Sequence, residues 1–376
     1  MRILHLITTL GVGGAEKHLL ILTRGQVARG HEVRVAYLKG EGELTRDFEA
    51  QGVGVVKLQG GGGALGRLPK LGELLAARGQ LRRLLREWRP DVLHTHLLKA
   101  DTLGALSARA GGVRALVASK HNDERALLSA PVSLVHGWLS RRVARTICLS
   151  DHVARFVEQH GRVPRGRIRR VYYGVDPDAL QPRRTRTAVR AELGLPPDAP
   201  VLVCVGRLAP QKDHPTLLAA LALLPPEVVL LVVGGDPFGD GATRLAARAR
   251  ELGVSDRVRF LGIRHDVPDL LGASDLFVLP SLWEGLGLVF LEAMAVSLPT
   301  VATNVSAIPE VVPDGVGGWL VPPGRPDELA RAIAAALADP AERGRRGAAG
   351  RALLLQRFTL PRMIDEVLAV YAEARG

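Results

Sequence analysis

Glu284 and Glu292, with seven residues between them, lie in the stretch of this sequence richest in groups able to do chemistry. The run 276–279 is apolar and reads as a strand; a turn at Pro280 follows, and a helix is expected from about Gly287. Glu284 then sits in the loop before the helix and Glu292 about one and a half turns into it, so the two carboxylates can address different parts of one ligand. Between them, the amides of Gly287 and Leu288 stand at a helix start, where unpaired N–H groups favour an anion. Carboxylates are good acceptors for sugar and ribose hydroxyls. A loop cap plus an exposed helical glutamate is the competing account, adequate for either residue alone and weaker for the whole segment.

Two cations lie upstream, in Gly206-Arg207-Leu208-Ala209-Pro210-Gln211-Lys212, directly after the apolar run 201–205. The carboxyl end of a parallel strand is the usual ligand edge of such sheets. Arginine forks onto oxygens and lysine acts as a point charge, so the pair suits a diphosphate; taken as an isolated pair, solvated surface cations would be the favoured account. Near the start, Gly11-Val12-Gly13-Gly14-Ala15-Glu16 joins a strand to a helix. Its glycines allow close approach of a phosphate, although the spacing is not the dinucleotide fingerprint and a plain tight turn fits as well. His121 ends the run 115–119, and His94 and His96 end the run 92–96. Two histidines two apart on a strand face the same side, where they can line an acceptor pocket or pack structurally.

These groups need a scaffold, and the pattern around them supplies one. Short apolar runs alternate with amphipathic stretches, which implies α/β architecture with parallel sheets. Expected strands in the first half are 3–8, 33–38, 53–58, 92–96, 115–119, 146–149 and 168–172, with the clearest helices at 15–28 and 81–88. A proline-rich segment, 177–200, reads as the connection to a second series: 201–205, 228–233, 258–261, 276–279, 300–302 and 319–321. Gly60–Gly63 reads as a loop. The last segment carries an apolar stripe at Met363, Val367 and Val370, able to close the second domain or to cross back to the first.

At 376 residues the chain suits two domains, here 1–175, with 360–376 a candidate addition to it, and 176–359. Its net charge of +12 is unevenly spread. Residues 1–170 carry 29 Lys and Arg against 14 Asp and Glu, net +15; residues 171–376 carry 21 against 24, net −3. A basic half suggests an anionic partner: a membrane surface or a phosphorylated lipid. No nucleic-acid-binding motif is visible and aromatics are few, which argues against nucleic acid. The stripe Leu74, Leu81, Leu85 and Trp88, flanked by Arg78, Arg82, Arg86 and Arg89, is a candidate interfacial helix, with a core-facing helix as the alternative. Cys148 and Cys204 fall in separate expected strands, so neither a disulfide nor a zinc site is expected. No apolar run approaches membrane-spanning length, and no cleavage site follows the apolar start. The expected location is cytoplasmic, with peripheral attachment to the cytoplasmic face of the membrane as a further expectation.

Taken together and in order, these segments resemble glycosyltransferase family 4. Gly13-Gly14-Ala15-Glu16 looks like the family's first loop, Gly206-Arg207-Leu208 with Lys212 like its diphosphate clamp, and Glu284 with Glu292 like its paired-glutamate signature. Further matches are Ile308-Pro309-Glu310-Val311-Val312 and the stretch from Gly315 to Gly324. The resemblance implies a GT-B fold, two Rossmann-like domains facing each other across a donor-binding cleft. It implies a retaining, metal-independent hexosyltransferase with no cofactor, taking a UDP- or GDP-linked sugar donor and a glycan, lipid-linked or small-molecule acceptor. It also implies roles. Arg207 and Lys212 hold the diphosphate, and Glu284, with the amides of Leu286, Gly287 and Leu288, holds the donor sugar. Glu292 holds the ribose, the backbone at Ile263 faces the base, and Gly13 and Gly14 approach the diphosphate. His121 lies near the reacting sugar. Apart from the resemblance, Glu16, His94 and His96 are acceptor-side candidates, with structural packing equally open for the two histidines. Tyr173 departs from the pattern, standing where the family often carries Asn before Gly174-Val175-Asp176. Competing readings are another GT-B enzyme, such as a sugar-nucleotide epimerase, or a basic non-catalytic module binding anionic lipid.

Overall fold

A computed structural model describes residues 1–11, 13–58, 71–236 and 239–376. The expected loop at Gly60–Gly63 lies outside them.

The chain forms two compact units: Met1–Gly174 together with Leu360–Gly376, and Val175–Thr359. Unit 1 holds a seven-stranded sheet built from β1 (Arg2–Thr9), β2 (Glu32–Lys39), β3 (Gly54–Lys57), β4 (Val92–His96), β5 (Ala115–Lys120), β6 (Arg145–Cys148) and β7 (Ile168–Arg170). Unit 2 holds six strands: β8 (Val201–Val205), β9 (Val229–Val233), β10 (Val258–Gly262), β11 (Leu276–Leu279), β12 (Thr300–Thr303) and β13 (Gly318–Val321). Every pairing is parallel. Helices cover both faces of such sheets, so central strands read as unbroken apolar runs. The runs VLVCV of β8 and VLLVV of β9 are of this kind, buried at every position. Cys148 and Cys204 are both buried and unpaired, and burial pushes each thiol up to about 12.

The strand orders locate the sites. Unit 1 runs β3-β2-β1-β4-β5-β6-β7, and unit 2 runs β10-β9-β8-β11-β12-β13. In each, the winding reverses between two adjacent strands: β1 and β4 in unit 1, β8 and β11 in unit 2. The loops leaving the carboxyl ends of such a pair diverge and leave a crevice, where ligands of open α/β sheets bind.

The helix Leu360–Arg375 completes unit 1. Its Met363, Ile364, Val367, Val370 and Tyr371 are buried in one cluster with Ile3, Ile7, Leu19, Leu22 and Val35. Gly25 is required there, because a Cβ at that position would lie 2.6 Å from two carbons of Ile364.

The interfacial reading of the arginine-flanked stripe is corrected. The helix spans Leu71–Trp88, and Leu81, Leu85 and Trp88 are buried among Leu4, Leu6, Leu93, Leu103 and Leu116, with Leu74 packed against them. Their 3.6-residue period marks a core face, which any amphipathic surface helix shares. Arg86 is tied to the carbonyl of Ala110, and the Trp88 indole donates to Glu32 at 2.9 Å. Gly72 and Gly79 meet nothing within 4 Å and are tolerated on the outer face.

Candidate functional site

At the switch point of unit 2, the turn after β8 and the loop after β11 are stitched together. Leu282 donates its amide to the carbonyl of Gln211, and the Gln211 side chain donates to the carbonyl of Trp283, both at 2.8 Å. Between them lies the central contact: Lys212 Nζ donates to Glu284 Oε1 at 2.5 Å, and that oxygen also accepts from Ser281 Oγ at 2.7 Å. Lys212 is 9 % exposed and Glu284 5 %. Removing either partner would leave a buried charge unpaired, whereas together they satisfy one another. This corrects the competing account of Lys212 as a solvated surface cation. The lysine stem folds over Gly206, with Cε 3.1 Å from where a Cβ would stand, so the ammonium is delivered inward to Glu284. Arg207, one residue after Gly206, is exposed.

The backbone around this pair depends on glycine. A Cβ on Gly234, whose φ is 151°, would lie 2.0 Å from the carbonyl oxygen of Gly206, so the ends of β8 and β9 touch backbone to backbone. Gly287 has φ 84° and precedes the helix Leu288–Ala295; a Cβ there would meet the Phe290 ring at 2.7 Å. Leu286 and Leu288 are buried, which anchors the loop and holds the first helical amides in place. Glu292 is half-buried on that helix, beyond Glu284. Ile263, just past β10, is 62 % exposed and lies against Gly235. Arg207, Lys212, Ile263, Glu284, Gly287 and Glu292 thus all stand at the carboxyl ends of unit 2's strands or on the helix that follows β11. Sequence reasoning passed over Gly234 and Asp236. The Asp236 carboxylate accepts the amides of Gly239 and Ala242, both at 3.0 Å, and its legible signal was Gly-Gly-Asp ending a strand.

In unit 1, Gly13 precedes the helix Gly14–Ala28 without a side-chain cap, so the first amides stay open. Glu16 folds back over it: a Cβ on Gly13 would lie 2.4 Å from Glu16 Oε2, and Glu16 Oε1 accepts from Thr9 Oγ1 at 2.6 Å. Gly14 is exposed, and a Cβ there would meet nothing. Packing thus accounts for Gly13 but not for Gly14, which leaves space for a ligand.

The histidines form a buried chain. His5, His94 and His96 are fully buried and His121 nearly so. This corrects the acceptor-lining reading of His94 and His96, neither of which reaches solvent. Gln26 Nε2 donates to the Tyr371 hydroxyl at 3.1 Å, leaving its Oε1 to accept from His5 Nε2 at 2.9 Å. Burial lowers the pKa of His5 and of His121 to about 4 and those of His94 and His96 well below the ordinary value, so all four are neutral, each with one N–H. Complementarity then fixes every proton. His5 Nδ1 accepts from His96 Nε2 at 3.0 Å, His96 Nδ1 accepts from His121 Nε2 at 2.9 Å, and His121 Nδ1 accepts from the Tyr173 hydroxyl at 2.9 Å. In the other direction, the Tyr371 hydroxyl donates to His94 Nδ1 at 2.6 Å, and His94 Nε2 donates to Ser119 Oγ at 2.7 Å. His121 therefore has both nitrogens engaged, and any hydrogen bond it makes to a substrate requires displacing Tyr173. His18 was not anticipated: its ring lies 4.1 Å from that of Tyr173, and its Nδ1 is buried without a partner.

Among the described residues, two clusters have donor atoms close enough for a metal ion, His5-His94-His96 and Asp101-Glu124-His136. The first is satisfied by its own hydrogen bonds. In the second, Lys120 Nζ occupies the cation position, 2.6 Å from Asp101, 3.0 Å from Glu124 and 3.0 Å from His136. Burial opposes the ammonium form, but Asp101 and Glu124 outweigh it and raise the Lys120 pKa.

Known families and proteins match most of the chain. The family model described as Glycosyltransferase Family 4 matches residues 12–179, and that of Glycosyl transferases group 1 matches residues 185–353. A UDP-Gal:alpha-D-GlcNAc-diphosphoundecaprenol alpha-1,3-galactosyltransferase of Escherichia coli is 32 % identical over 64 % of this chain and 65 % of its own length. A D-inositol 3-phosphate glycosyltransferase of Streptomyces bingchenggensis is 33 % identical over 76 % of this chain and 67 % of its own. The chain thus spans about two thirds of the length of these curated relatives. Anabaena Alr3699/HepE, solved with UDP and glucose, superimposes with a TM-score of 0.89 at 26 % identity over 99 % of both chains. The fold is that of the GT-B glycosyltransferases.

Proposed function

Because the chain belongs to glycosyltransferase family 4, a family of nucleotide-sugar-dependent transferases, we propose that it moves a hexosyl group from a nucleoside diphosphate sugar to an acceptor hydroxyl, with retention at the anomeric carbon. The observation that carries this reading is the Lys212–Glu284 pair beside exposed Arg207 at the switch point of unit 2. Breaking the sugar–phosphate bond develops negative charge on the leaving diphosphate. Arg207, Lys212 and the open amides at Gly287 and Leu288 stabilise it, doing the work a divalent metal does elsewhere. Lys212 reaches the diphosphate while its partner, Glu284, accepts donor-sugar hydroxyls. Glu292 accepts the ribose hydroxyls, and Ile263 offers an apolar edge to the base. At the helix start of unit 1, Gly14 leaves room for a phosphate group. A leaving-phosphate oxygen takes the acceptor proton as the acceptor oxygen bonds the anomeric carbon and the sugar–phosphate bond breaks, with His121 as the histidine near the reacting sugar.

The uridine base is supported by the likeness to HepE, solved with UDP and with UDP-glucose. Both curated relatives have phosphorylated acceptors in their names, which fits the basic unit 1 and an anionic acceptor, glycan- or lipid-linked. We infer peripheral attachment to an anionic cytoplasmic leaflet from the basic unit 1; among the described residues no helix is long and apolar enough to cross a membrane.

A thermal-shift panel of UDP-, GDP- and ADP-sugars, followed by donor hydrolysis with and without EDTA, tests the reading. A UDP-sugar should stabilise the protein by mass action, and hydrolysis should survive the chelator. Failure of every donor to bind would overturn the transferase reading. Abolition by EDTA with rescue by magnesium would overturn the metal-free mechanism alone.

A further inference from the structure

The helix Ala130–Ser140 is built inside out. Its buried side carries Ser133, His136, Gly137 and Ser140 with a single large apolar residue, Leu139. Its polar groups are used inward: Ser133 Oγ donates to the carbonyl of His160, and His136 bonds the carbonyl of Gly161 and Lys120. Gly137 lets the helix approach Arg162, whose Cβ would lie 2.7 Å from an added Cβ. The outer side carries the apolar groups. Leu134, Val135 and Trp138 are 55 %, 57 % and 52 % exposed, and Leu128, just before the helix, is 54 % exposed. A surface helix ordinarily shows the reverse pattern, and scattered exposed apolar residues need no explanation, but a contiguous group does.

Charge says what covers this face. Between residues 125 and 142 there is no carboxylate, while Arg125, Arg141 and Arg142 are exposed and bracket the apolar stretch at both ends. The Arg142 guanidinium stacks over the Trp138 ring at 3.6 Å, placing a cation at the rim of the apolar face. Tryptophan and leucine in the middle with arginines at the margin match the acyl–headgroup boundary of an anionic leaflet. A two-fold pairing of this face with a second copy would set arginines against arginines.

We propose that the surface formed by Leu128, Leu134, Val135 and Trp138, with Arg125, Arg141 and Arg142, seats unit 1 on an anionic bilayer. The inference rests on the reading of an anionic acceptor-side partner and gives that partner a place on the molecule, next to the loop that carries His121.

Co-sedimentation with vesicles of equal parts phosphatidylcholine and phosphatidylglycerol tests it, with calorimetric UDP binding measured on the same protein without lipid. The native chain should bind these vesicles at low salt and not vesicles of phosphatidylcholine alone. Leu134→Glu with Trp138→Glu should lower partitioning at least ~10-fold, because two charges then enter the acyl boundary. Leu355→Glu, at an equally exposed leucine of unit 2, should change nothing. Lipids brominated in the upper acyl chain should quench a fluorescence component that Trp138→Phe removes. Absence of binding by the native chain, equal binding by the double variant, or a self-association that the double variant abolishes without any vesicle binding would each overturn the proposal. Loss of UDP binding with vesicle binding intact would instead remove the donor reading and leave the surface standing.

Discussion

The Tyr173 hydroxyl stands 2.9 Å from His121 Nδ1 and is the last donor of a hydrogen-bond chain whose direction is set at Gln26. Tyr173 is where the sequence departs from its family, and the phenol has a definite partner. Tyr173→Phe should cost about 1–3 kcal/mol of stability, the penalty for a buried acceptor left without its donor. The His121 proton should stay on Nε2, because Gln26 and not Tyr173 directs the chain. Thermal melting and the ring-nitrogen NMR shifts of His121 measure the two effects. A His121 proton moved to Nδ1 in this variant would refute the assignment.

Arg207 and Lys212 should separate in stability while sharing an effect on rate. Either change to Ala should lower turnover at least ~100-fold, the scale of losing one preorganised charge stabiliser. Arg207→Ala should melt like the native chain, since its side chain is exposed. Lys212→Ala strands the buried Glu284 carboxylate and should cost about 3–5 kcal/mol, recovered in part by adding Glu284→Gln. Equal melting of the two single variants would contradict the pairing.

The two glutamates should fail differently. Glu292→Gln should weaken binding of free UDP, whereas Glu284→Gln should leave UDP binding nearly intact and impair use of the sugar. Calorimetry with UDP on both variants decides the matter, and matched losses would remove the distinction.

Stability should fall as the solution is acidified from about pH 6.5 to 4. Burial lowers the pKa values of His5 and His121 to about 4 from the ordinary histidine value of 6.5, so the unfolded chain takes up their protons first. A depressed histidine contributes stability that is complete above its unfolded pKa and is lost as pH drops toward its folded one, with a slope of about 1.4 kcal/mol per pH unit for each group. His18, His94 and His96 shift in the same direction and add to the slope. Denaturant midpoints measured from pH 7 to pH 4.5 should fall steeply, and a flat profile would contradict a neutral cluster.

The strands of both sheets were legible because a parallel strand buried on two faces leaves an unbroken apolar run, as in β8 and β9. Arg207, Lys212, Glu284 and Glu292 were legible as residue types at fixed offsets from those runs. The pairing of Lys212 with Glu284 was not, since it joins residues 72 apart through the adjacency of β8 and β11. The histidine chain was hidden for the same reason: His5 lies within β1, His96 ends β4 and His121 follows β5, three strands that only the sheet order makes neighbours. The stripe on Leu71–Trp88 misled because its apolar period is the same whether the face meets lipid or a core. The helix Ala130–Ser140 was overlooked because only its burial pattern shows that the apolar side faces outward.

The helix Leu360–Arg375 imposes an order on synthesis. Residues that finish unit 1 leave the ribosome after all of unit 2, although unit 1 is encoded first. Until they emerge, Gln26 and His94 lack the Tyr371 hydroxyl and the core lacks Met363 and Val367. Unit 2 can therefore reach its native state first, while the leading half of the chain waits with open apolar surface, a condition that favours aggregation. Nascent chains arrested before residue 360 should show protease resistance confined to unit 2; a resistant unit 1 at that stage would show that it closes without its final helix.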